Sequence, residues 1–480
     1  MGSHSEADSG SSNLLALPNE LLHEVLTKFC KHCYIEEHEE ERDREEFVWS
    51  LENTQSLYST CLVSWRLRDI AQPILYHECI LLDEKAWGES KHSLRQRGFW
   101  TRRFTSFLRT VTLRPDLAAV VRTWSIDYRA IRDFQAFIDD EVWAEAEQRL
   151  GIMGALPGLS SVYAPSTLCL EVSHATLSTA RLTSVPIQHI HCSGVGDGAV
   201  SPGFLDGILQ LCSSTLKTIH LDATASMMNR LSNPFPNLRR ICIRSTPCSK
   251  SDMASFLSRC TAGLEAFTYC TASRLADDYA RFRDPFLASD AITLLAHHRA
   301  TLKALHLDIT FEPMSLSMAI EPSLEAPMPS LRTFSVLENL SVNSDFLLHF
   351  RRQTATPEIV AELLPPSLVS LRVVVIKGSW GSYYAEDWMY QTLDTCLCSL
   401  AMAVGQGLFP ELTTISYDTV GRVRLPDVLE LVAGQSFVEH SRVCEDGMPK
   451  SLTVPVYEDQ DRRYRKPHVR TSWTRSRVTQ

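Results

Sequence analysis

A six-residue pattern of apolar positions recurs along most of this chain. An apolar residue is followed by two variable residues, a second apolar residue, one variable residue and a third apolar residue. Copies begin at positions 216, 238, 264, 302, 331, 368 and 412, and weaker copies begin at 159 and 187. The alternation at the end of each copy predicts a β-strand with one buried face. Turn-forming residues such as Pro236-Asn237 and Pro365-Pro366-Ser367 precede several copies.

Segments with helical character separate some of these strands. They are residues 204–212, 253–260 and 291–297. A strand preceded by a turn and a helix resembles the unit of leucine-rich repeats, and the gaps of 22 to 44 residues between copies fit that period where insertions are allowed. The asparagine expected after the third apolar position is mostly missing, so the repeats are degenerate. The prediction is an α/β fold with an irregular leucine-rich-repeat solenoid over 151–435. An ordinary α/β domain with a parallel sheet is the alternative.

Two amphipathic segments near the N-terminus predict a pair of short helices. Leu17-Pro18-Asn19-Glu20 is typical of a helix start, because proline fits the first turn and an acidic side chain favours that end of the helix. The second segment runs from Leu62 towards Pro73, which should end or kink it. Two such short helices cannot bury their own apolar faces, so they need either the rest of the chain or a partner.

These segments resemble an F-box in the form common in fungal proteins. The resemblance rests on Leu17-Pro18-x-Glu20-Leu21-Leu22-x-x-Val25, Leu62-Val63-Ser64-x-Arg66 and Ala71-x-Pro73-x-Leu75-Tyr76. It implies docking onto the Skp-type adaptor of an SCF ubiquitin ligase, and through that adaptor onto a cullin. The implied adaptor-binding residues are Leu17, Pro18, Glu20, Leu21, Leu22, Val25, Leu26, Leu62, Val63, Ser64 and Trp65. The chain departs from the family by an acidic insertion over 35–56, where an ordinary F-box has a short connection.

The leading functional hypothesis is a substrate-recognition subunit whose repeats bind a protein substrate. Residues between the apolar anchors of each strand should point away from the core. The expected substrate-binding row is His191, His220, Asp222, Arg240, Arg244, His306, Asp308, Arg372 and Asp418. Histidines there could make binding depend on pH, or they could simply be solvated. The alternative function is a protein-binding scaffold that acts outside an SCF complex.

Composition and motifs limit the other classes of function. A net charge of −10 argues against general nucleic-acid binding, and no apolar stretch reaches the length of a membrane span. The polar start of the chain lacks the core of a signal peptide, so the 14 cysteines are expected to be reduced thiols in the cytoplasm, the nucleus or both. We find no catalytic motif, and therefore expect neither enzymatic activity nor a cofactor.

Cys30-Lys31-His32-Cys33 has the spacing of half a zinc site. Only His23, His38 and Cys61 lie near it in sequence, and Cys30 continues the apolar face of the first helix. Burial therefore explains the cysteine better than metal binding does, and the sequence predicts no metal site.

The predicted layout has five parts. They are a disordered start over 1–13, the F-box with its insertion over 14–80, a helical linker with a first strand over 81–150, the repeats over 151–435 and a C-terminal extension over 436–480. The linker's strand is expected at 120–126. The tail from Asp459, with its basic cluster Arg462-Arg463-x-Arg465-Lys466, is expected to be disordered.

Overall fold

The computed structural model describes the chain in segments. They are residues 16–30, 32–33, 51–80, 106–107, 109–125, 156–165, 186–193, 209, 212–222, 233–244, 248–270, 284, 286–308, 329–343, 356–375, 395–420, 437–444 and 468–475. The chain divides into two compact units. Unit 1 comprises 1–126 and 152–160, and unit 2 comprises 127–151 and 161–480. Within the described segments, no helix is both long enough and apolar enough to cross a bilayer.

The described part of unit 1 contains three packed helices, a shorter helix, helical residues at 106–107 and 109–113, and two strands. The helices are α1 (Asn19–Thr27), α2 (Leu51–Val63), α3 (Trp65–Leu75) and α4 (Pro115–Val120), and the parallel strands are β1 (Glu78–Ile80) and β2 (Thr123–Ser125). A buried cluster of Leu26, Cys30, Leu57, Ala71 and Ile74 holds α1, α2 and α3 together. The predicted helix start is confirmed, since α1 follows Pro18 directly.

Three details of unit 1 refine the sequence prediction. Pro73 lies inside the last turn of α3. The helix continues for two residues beyond this proline and ends at Leu75. Residues 51–56, the last part of the predicted insertion, are helical and belong to α2. The strand predicted at 120–126 is shorter, because residues 115–120 form α4 and only Thr123–Ser125 pair with β1.

Unit 2 is built on a parallel sheet whose strands follow one another in sequence order. The strands are β3 (Ser161–Pro165), β4 (His189–Ser193), β5 (Thr218–Asp222), β6 (Arg240–Arg244), β7 (Ala266–Cys270), β8 (Ala304–Asp308), β9 (Asn339–Asn343), β10 (Ser370–Val375) and β11 (Thr414–Val420). The strand order never reverses between β3 and β11. The described sheet thus lacks the switch point at which doubly wound α/β domains bind their ligands.

Helices connect some of these strands. Those described are α5 (Lys250–Leu257), α6 (Ala288–Leu295), a 3-10 turn (Ala296–His298), α7 (Pro357–Leu363) and α8 (395–405). Side-chain caps start two of them: Ser249 accepts from the Asp252 N–H, and Thr356 accepts from the Ile359 N–H. The helices predicted at 253–260 and 291–297 are confirmed as α5 and α6 with shifted bounds, whereas most of 204–212 lies outside the described residues.

Apolar anchors in register form the core of unit 2. The leading anchors Leu216, Leu238, Leu264, Leu302, Leu337, Leu368 and Leu412 are all fully buried. The second anchors are paired strand to strand, in the order Ile190, Ile219, Ile241, Phe267, Leu305, Leu340, Leu371 and Ile415. Apolar residues that share one row of a sheet bury one another without needing identical shapes, and this allows the repeats to be degenerate.

One backbone arrangement recurs at every step from β4 to β11. The carbonyl that follows each leading anchor accepts hydrogen bonds from two consecutive N–H groups of the next repeat, at 2.7 to 3.1 Å. The accepting carbonyls belong to Gln188, Lys217, Arg239, Glu265, Lys303, Glu338 and Val369. Because the carbonyl uses both lone pairs, each repeat fixes the height, meaning the position along the strand direction, at which the following strand begins.

Hydroxyl groups add a second link between some repeats. Thr215, Thr301 and Ser367 each stand directly before a leading anchor. Their hydroxyls donate to the carbonyl of the preceding leading anchor, on Ile187, Leu264 and Leu337 respectively, at 2.7, 2.8 and 2.9 Å. These bonds satisfy backbone carbonyls in a chain that lacks most of the expected asparagines.

The sequence pattern gave the wrong register for one strand. The copy starting at Leu331 predicts a strand through Val336, but Leu331 and Phe334 are buried in consecutive turns instead. The strand is β9, and its leading anchor is Leu337. Both windows satisfy the apolar spacing, but only Leu337 places the N–H groups of residues 338 and 339 against the Lys303 carbonyl.

The C-terminal extension also differs from expectation. Residues 437–444 and 468–475 form strands β12 (Phe437–Cys444) and β13 (His468–Arg475). Strand β13 pairs antiparallel with β11, and β12 pairs antiparallel with β13. The prediction of a disordered tail from Asp459 is therefore wrong for 468–475, where β13 extends the edge of the sheet; the basic cluster lies outside the described residues.

The corrected register predicts different costs for two neighbouring truncations. Leu337→Ala should lower the free energy of unfolding by about 2 to 5 kcal/mol, because it opens a cavity in the core. Val336→Ala, at a partly buried position outside the anchor row, should cost about 1 kcal/mol or less. Denaturant unfolding of the two variants measures the difference. A larger loss for Val336→Ala would restore the register that starts at Leu331.

Candidate functional site

Helices α1, α2 and α3 leave a group of large apolar side chains exposed to solvent. Trp65, Leu62 and Val63 are 72, 70 and 66% exposed. Tyr58, Leu21 and Val25 are also exposed. We call these six residues the apolar patch. Apolar side chains gathered in this way on a small helical unit are typical of a protein-interaction surface.

Arg66 links the start of α1 to the start of α3. Its guanidinium donates to the side chain of Asn19 at 2.7 Å and to the carbonyl of Leu17 at 2.6 Å. The start of α1 is thereby fixed against the corner where α2 ends and α3 begins.

Ser64 and Arg68 shape that corner. Ser64 is extended between the two helices, and its hydroxyl accepts from the Leu67 N–H at 3.2 Å. This single-residue connection keeps Leu62, Val63 and Trp65 adjacent on the surface. The guanidinium carbon of Arg68 lies 3.6 Å from the centre of the Trp65 ring, a cation–π contact that holds the indole in place.

The structure places the predicted adaptor-binding residues in different surroundings. Leu21, Val25, Leu62, Val63 and Trp65 belong to the patch, and Pro18 and Glu20 are exposed beside it. Leu22 and Leu26 are only 1 and 5% exposed, so they are core residues and that part of the prediction is wrong. Ser64 is also reassigned, because its hydroxyl caps α3. Leu17 is half-buried and uses its carbonyl to bind Arg66.

The sheet of unit 2 presents a second candidate surface, opposite the anchors. Strand pairing places the residues between the second and third anchors in one row: Tyr163, His191, His220, Cys242, Thr268, His306, Ser341, Arg372 and Ser416. We call this the central row. Four of the predicted substrate-binding residues, His191, His220, His306 and Arg372, lie in it.

The remaining predicted residues flank the central row. Asp222, Arg244 and Asp308 lie two residues after the central row on the same strands, and strand pairing aligns them with Cys270. Asp418 lies two residues after Ser416 in β11. Arg240 lies on the other side, level with Thr218. The side chains of Asp222 and Asp418 lie outside the described residues. Sequence reasoning missed Tyr163, Cys242, Thr268, Cys270 and Ser341, although the two-residue alternation of each strand already places them on this face.

Aromatic rings stack along one end of the central row. The rings of His191 and His220 are parallel, with an interplanar angle of 4° and centroids 4.0 Å apart. Tyr163 lies 5.3 Å from His191 on the other side. Neighbouring strands are about 4.8 Å apart, which brings rings at equal heights into contact. The stack thus places three adjoining aromatic rings at one end of the central row.

His306 lies in a different environment near the middle of the row. Burial, reinforced by the nearby cations of Arg372 and Arg244, lowers the pKa of His306 to about 4. Burial and the neighbouring Asp308 raise the pKa of the Cys270 thiol. At neutral pH this pair is uncharged, so His306 cannot make binding pH-dependent between pH 6 and 8.

Two groups of side chains have the composition of a metal site among the described residues. Cys270, His306 and Asp308 form one. The Cys270 sulfur is 3.9 Å from Nδ1 and 3.7 Å from Nε2 of His306, so it is not aligned with either nitrogen lone pair. With Arg244 and Arg372 also raising the local potential, this group is poorly suited to a cation.

The second group joins Cys30, His32 and Cys33 to His77. Their four ligand atoms all lie within 4.8 Å of one another. His77 lies 44 residues after Cys33, so the spacing of the motif did not indicate it as a ligand. His32 was not counted as a ligand either. The sequence predicted no metal site here; the structure places His77 beside the Cys30-Lys31-His32-Cys33 segment and so brings four candidate ligands together.

No protein-family model matches this chain, and no curated protein matches it.

The pKa of His306 predicts how stability depends on pH. Below its unfolded-state pKa of about 6.5, the unfolded chain binds a proton that the folded chain excludes down to about pH 4. The contribution of His306 to the free energy of unfolding should therefore fall by about 1 to 2 kcal/mol between pH 7 and pH 5. Denaturant unfolding at both pH values measures it, with His306→Gln as the non-titrating control. Equal losses in both proteins would contradict the assignment.

Proposed function

We propose that the chain is the substrate-recognition subunit of an SCF-type ubiquitin ligase. The three helices of unit 1 serve as an F-box that docks onto a Skp-type adaptor, and through it onto a cullin. Unit 2 is an irregular leucine-rich-repeat solenoid whose sheet face binds a protein substrate. The observation that carries the proposal is the apolar patch, because its residues Leu21, Val25, Leu62, Val63 and Trp65 are exposed and are among those implied to face the adaptor.

The patch has the features of a protein-docking surface. It combines aromatic, leucine and valine side chains that gain most from desolvation when a partner covers them. The core residues Leu22 and Leu26 fix α1 from behind, while Arg66 and the Ser64 cap fix the corner. Binding therefore needs little ordering of the backbone, which reduces the entropic cost of association.

The sheet face of unit 2 supplies the substrate-binding part of the proposal. The adjoining rings of Tyr163, His191 and His220 offer aromatic groups for contact with a substrate. Arg244 and Arg372 add cationic groups near the middle of the row. This combination suits an extended polar protein segment that contains an aromatic or acidic side chain.

The chain performs no chemistry in this proposal. It holds the substrate and the ligase in one complex, which raises the effective concentration of a substrate lysine near the conjugating enzyme.

Charge substitution in the patch tests the docking step. Leu62→Asp/Val63→Asp should weaken binding to a purified Skp-type adaptor by at least tenfold, because the complex would bury two unpaired carboxylates. Both positions are exposed in the free chain, so folding should be unaffected. Isothermal titration calorimetry measures the affinity, and circular dichroism checks the fold.

Leu113→Asp provides the matched control. Leu113 is 67% exposed in the same unit but lies outside the patch, so its replacement should leave adaptor affinity unchanged. A wild-type chain that does not bind the adaptor would instead favour a scaffold acting outside an SCF complex. Equal losses in Leu113→Asp and the double variant would show that the patch is not the contact.

A further inference from the structure

The end of α1 and the end of α3 bring two thiols and two imidazoles together. The Cys33 sulfur lies 3.2 Å from Nδ1 of His77, and the Cys30 sulfur lies 3.8 Å from the same nitrogen. Nδ1 of His32 is 3.9 Å from the Cys33 sulfur. The rings of His32 and His77 meet edge to face, with centroids 5.6 Å apart.

These separations match those of a tetrahedral zinc site. With Zn–S near 2.3 Å and Zn–N near 2.0 to 2.1 Å, the ligand atoms of a tetrahedron are about 3.3 to 3.8 Å apart. The distances to the His77 nitrogen bracket this range. The pair His32 and Cys33, at 3.9 Å, is only slightly wider, and all four ligand atoms lie within 4.8 Å of one another.

We propose that Cys30, His32, Cys33 and His77 bind a structural zinc ion. Two thiolates and two neutral imidazoles give a Cys₂His₂ set, which is closed and leaves no position for substrate. The two thiolate charges balance the ion, so the site is neutral overall. Soft thiolate and imidazole ligands in a tetrahedral arrangement favour zinc over magnesium or calcium.

The surroundings support a neutral, closed site. Cys30 is only 3% exposed and belongs to the buried apolar cluster of unit 1, and none of the other three ligands is exposed. A charged group here would be costly, whereas a neutral metal complex is not.

The backbone holds the ligands before any metal binds. The Cys30 N–H donates to the Thr27 carbonyl, and the His77 N–H donates to the Ile74 carbonyl. The His77 carbonyl also accepts from the N–H groups of Arg122 and Thr123, at 2.8 and 2.9 Å. The backbone of His77 is therefore tied to both α3 and the start of β2, which fixes its position beside the thiols.

The ion would fasten the two halves of the proposed docking unit. Its ligands follow α1 on one side and α3 on the other, and they close a loop of 44 residues between Cys33 and His77. Closing a long loop reduces the entropy of the unfolded chain, so metal binding becomes folding free energy for unit 1. This consequence holds whether or not the unit binds an adaptor.

Metal analysis of the full-length chain tests the proposal. The chain should be purified under reducing conditions without chelator and should contain one zinc ion per molecule by mass spectrometry of the metal. Replacing zinc with cobalt should give the intense visible bands of tetrahedral cobalt and a thiolate-to-cobalt charge-transfer band. The cobalt spectrum of the wild-type chain decides the question even where ligand variants fold poorly.

Variants identify the ligands. Cys33→Ser and His77→Ala should each bind cobalt at least about tenfold more weakly and change its spectrum, since even outer-shell changes cost that much in metal sites. Cys61→Ser is the matched control: Cys61 packs against the same apolar cluster but lies outside the four-residue group. It should retain the zinc and the wild-type cobalt spectrum.

Two results would overturn the proposal. The first is a folded wild-type chain without stoichiometric zinc that also gives no cobalt charge-transfer band. The second is a native chain whose mass shows a disulfide between Cys30 and Cys33, because an oxidised pair cannot supply two thiolates.

Discussion

A single backbone arrangement sets the geometry of unit 2. From β4 to β11, the carbonyl after each leading anchor accepts two consecutive N–H groups from the next repeat. The bond depends on position and not on side-chain identity, so glutamine, lysine, arginine, glutamate and valine all occupy the accepting position. It fixes the height of each strand, which in turn aligns the buried anchors on one face and the central row on the other.

This constraint explains how irregular repeats can form a regular surface. Insertions between strands change the connections but not the height at which the next strand begins. His191 and His220, contributed by different repeats, therefore meet as stacked rings. His306 and Arg372 are placed in the same row by the same rule. A substrate would meet a continuous row of side chains even though the repeats differ in length.

Much of the fold could be predicted because the anchors alternate with a clear period. Leu216, Leu264 and Leu302 each begin a copy that forms a strand at the expected place. The strand predicted from Leu331 was wrong because a neighbouring window, from Leu337, has the same apolar spacing. The hydrogen bonds to the Lys303 carbonyl decide between the two windows, and they have no sequence signature. Strand β13 was missed because its pairing partner, β11, is about 50 residues away.

The site was predicted less completely, for reasons of distance and burial. A motif identifies which residues lie on a helix but not which face is covered, so Leu22 and Leu26 could not be separated from Leu21 and Val25. His77 could not be linked to Cys33, because only the packing of α3 beside α1 brings them together.

The central functional claim is that unit 1 connects this chain to a cullin through an adaptor. The most direct measurement is light scattering on a size-exclusion column, with the full chain, a Skp-type adaptor and the N-terminal domain of a cullin mixed in equal amounts. The account predicts one peak with the mass of a 1:1:1 complex. A chain that elutes alone, while the adaptor and cullin elute together, would contradict it.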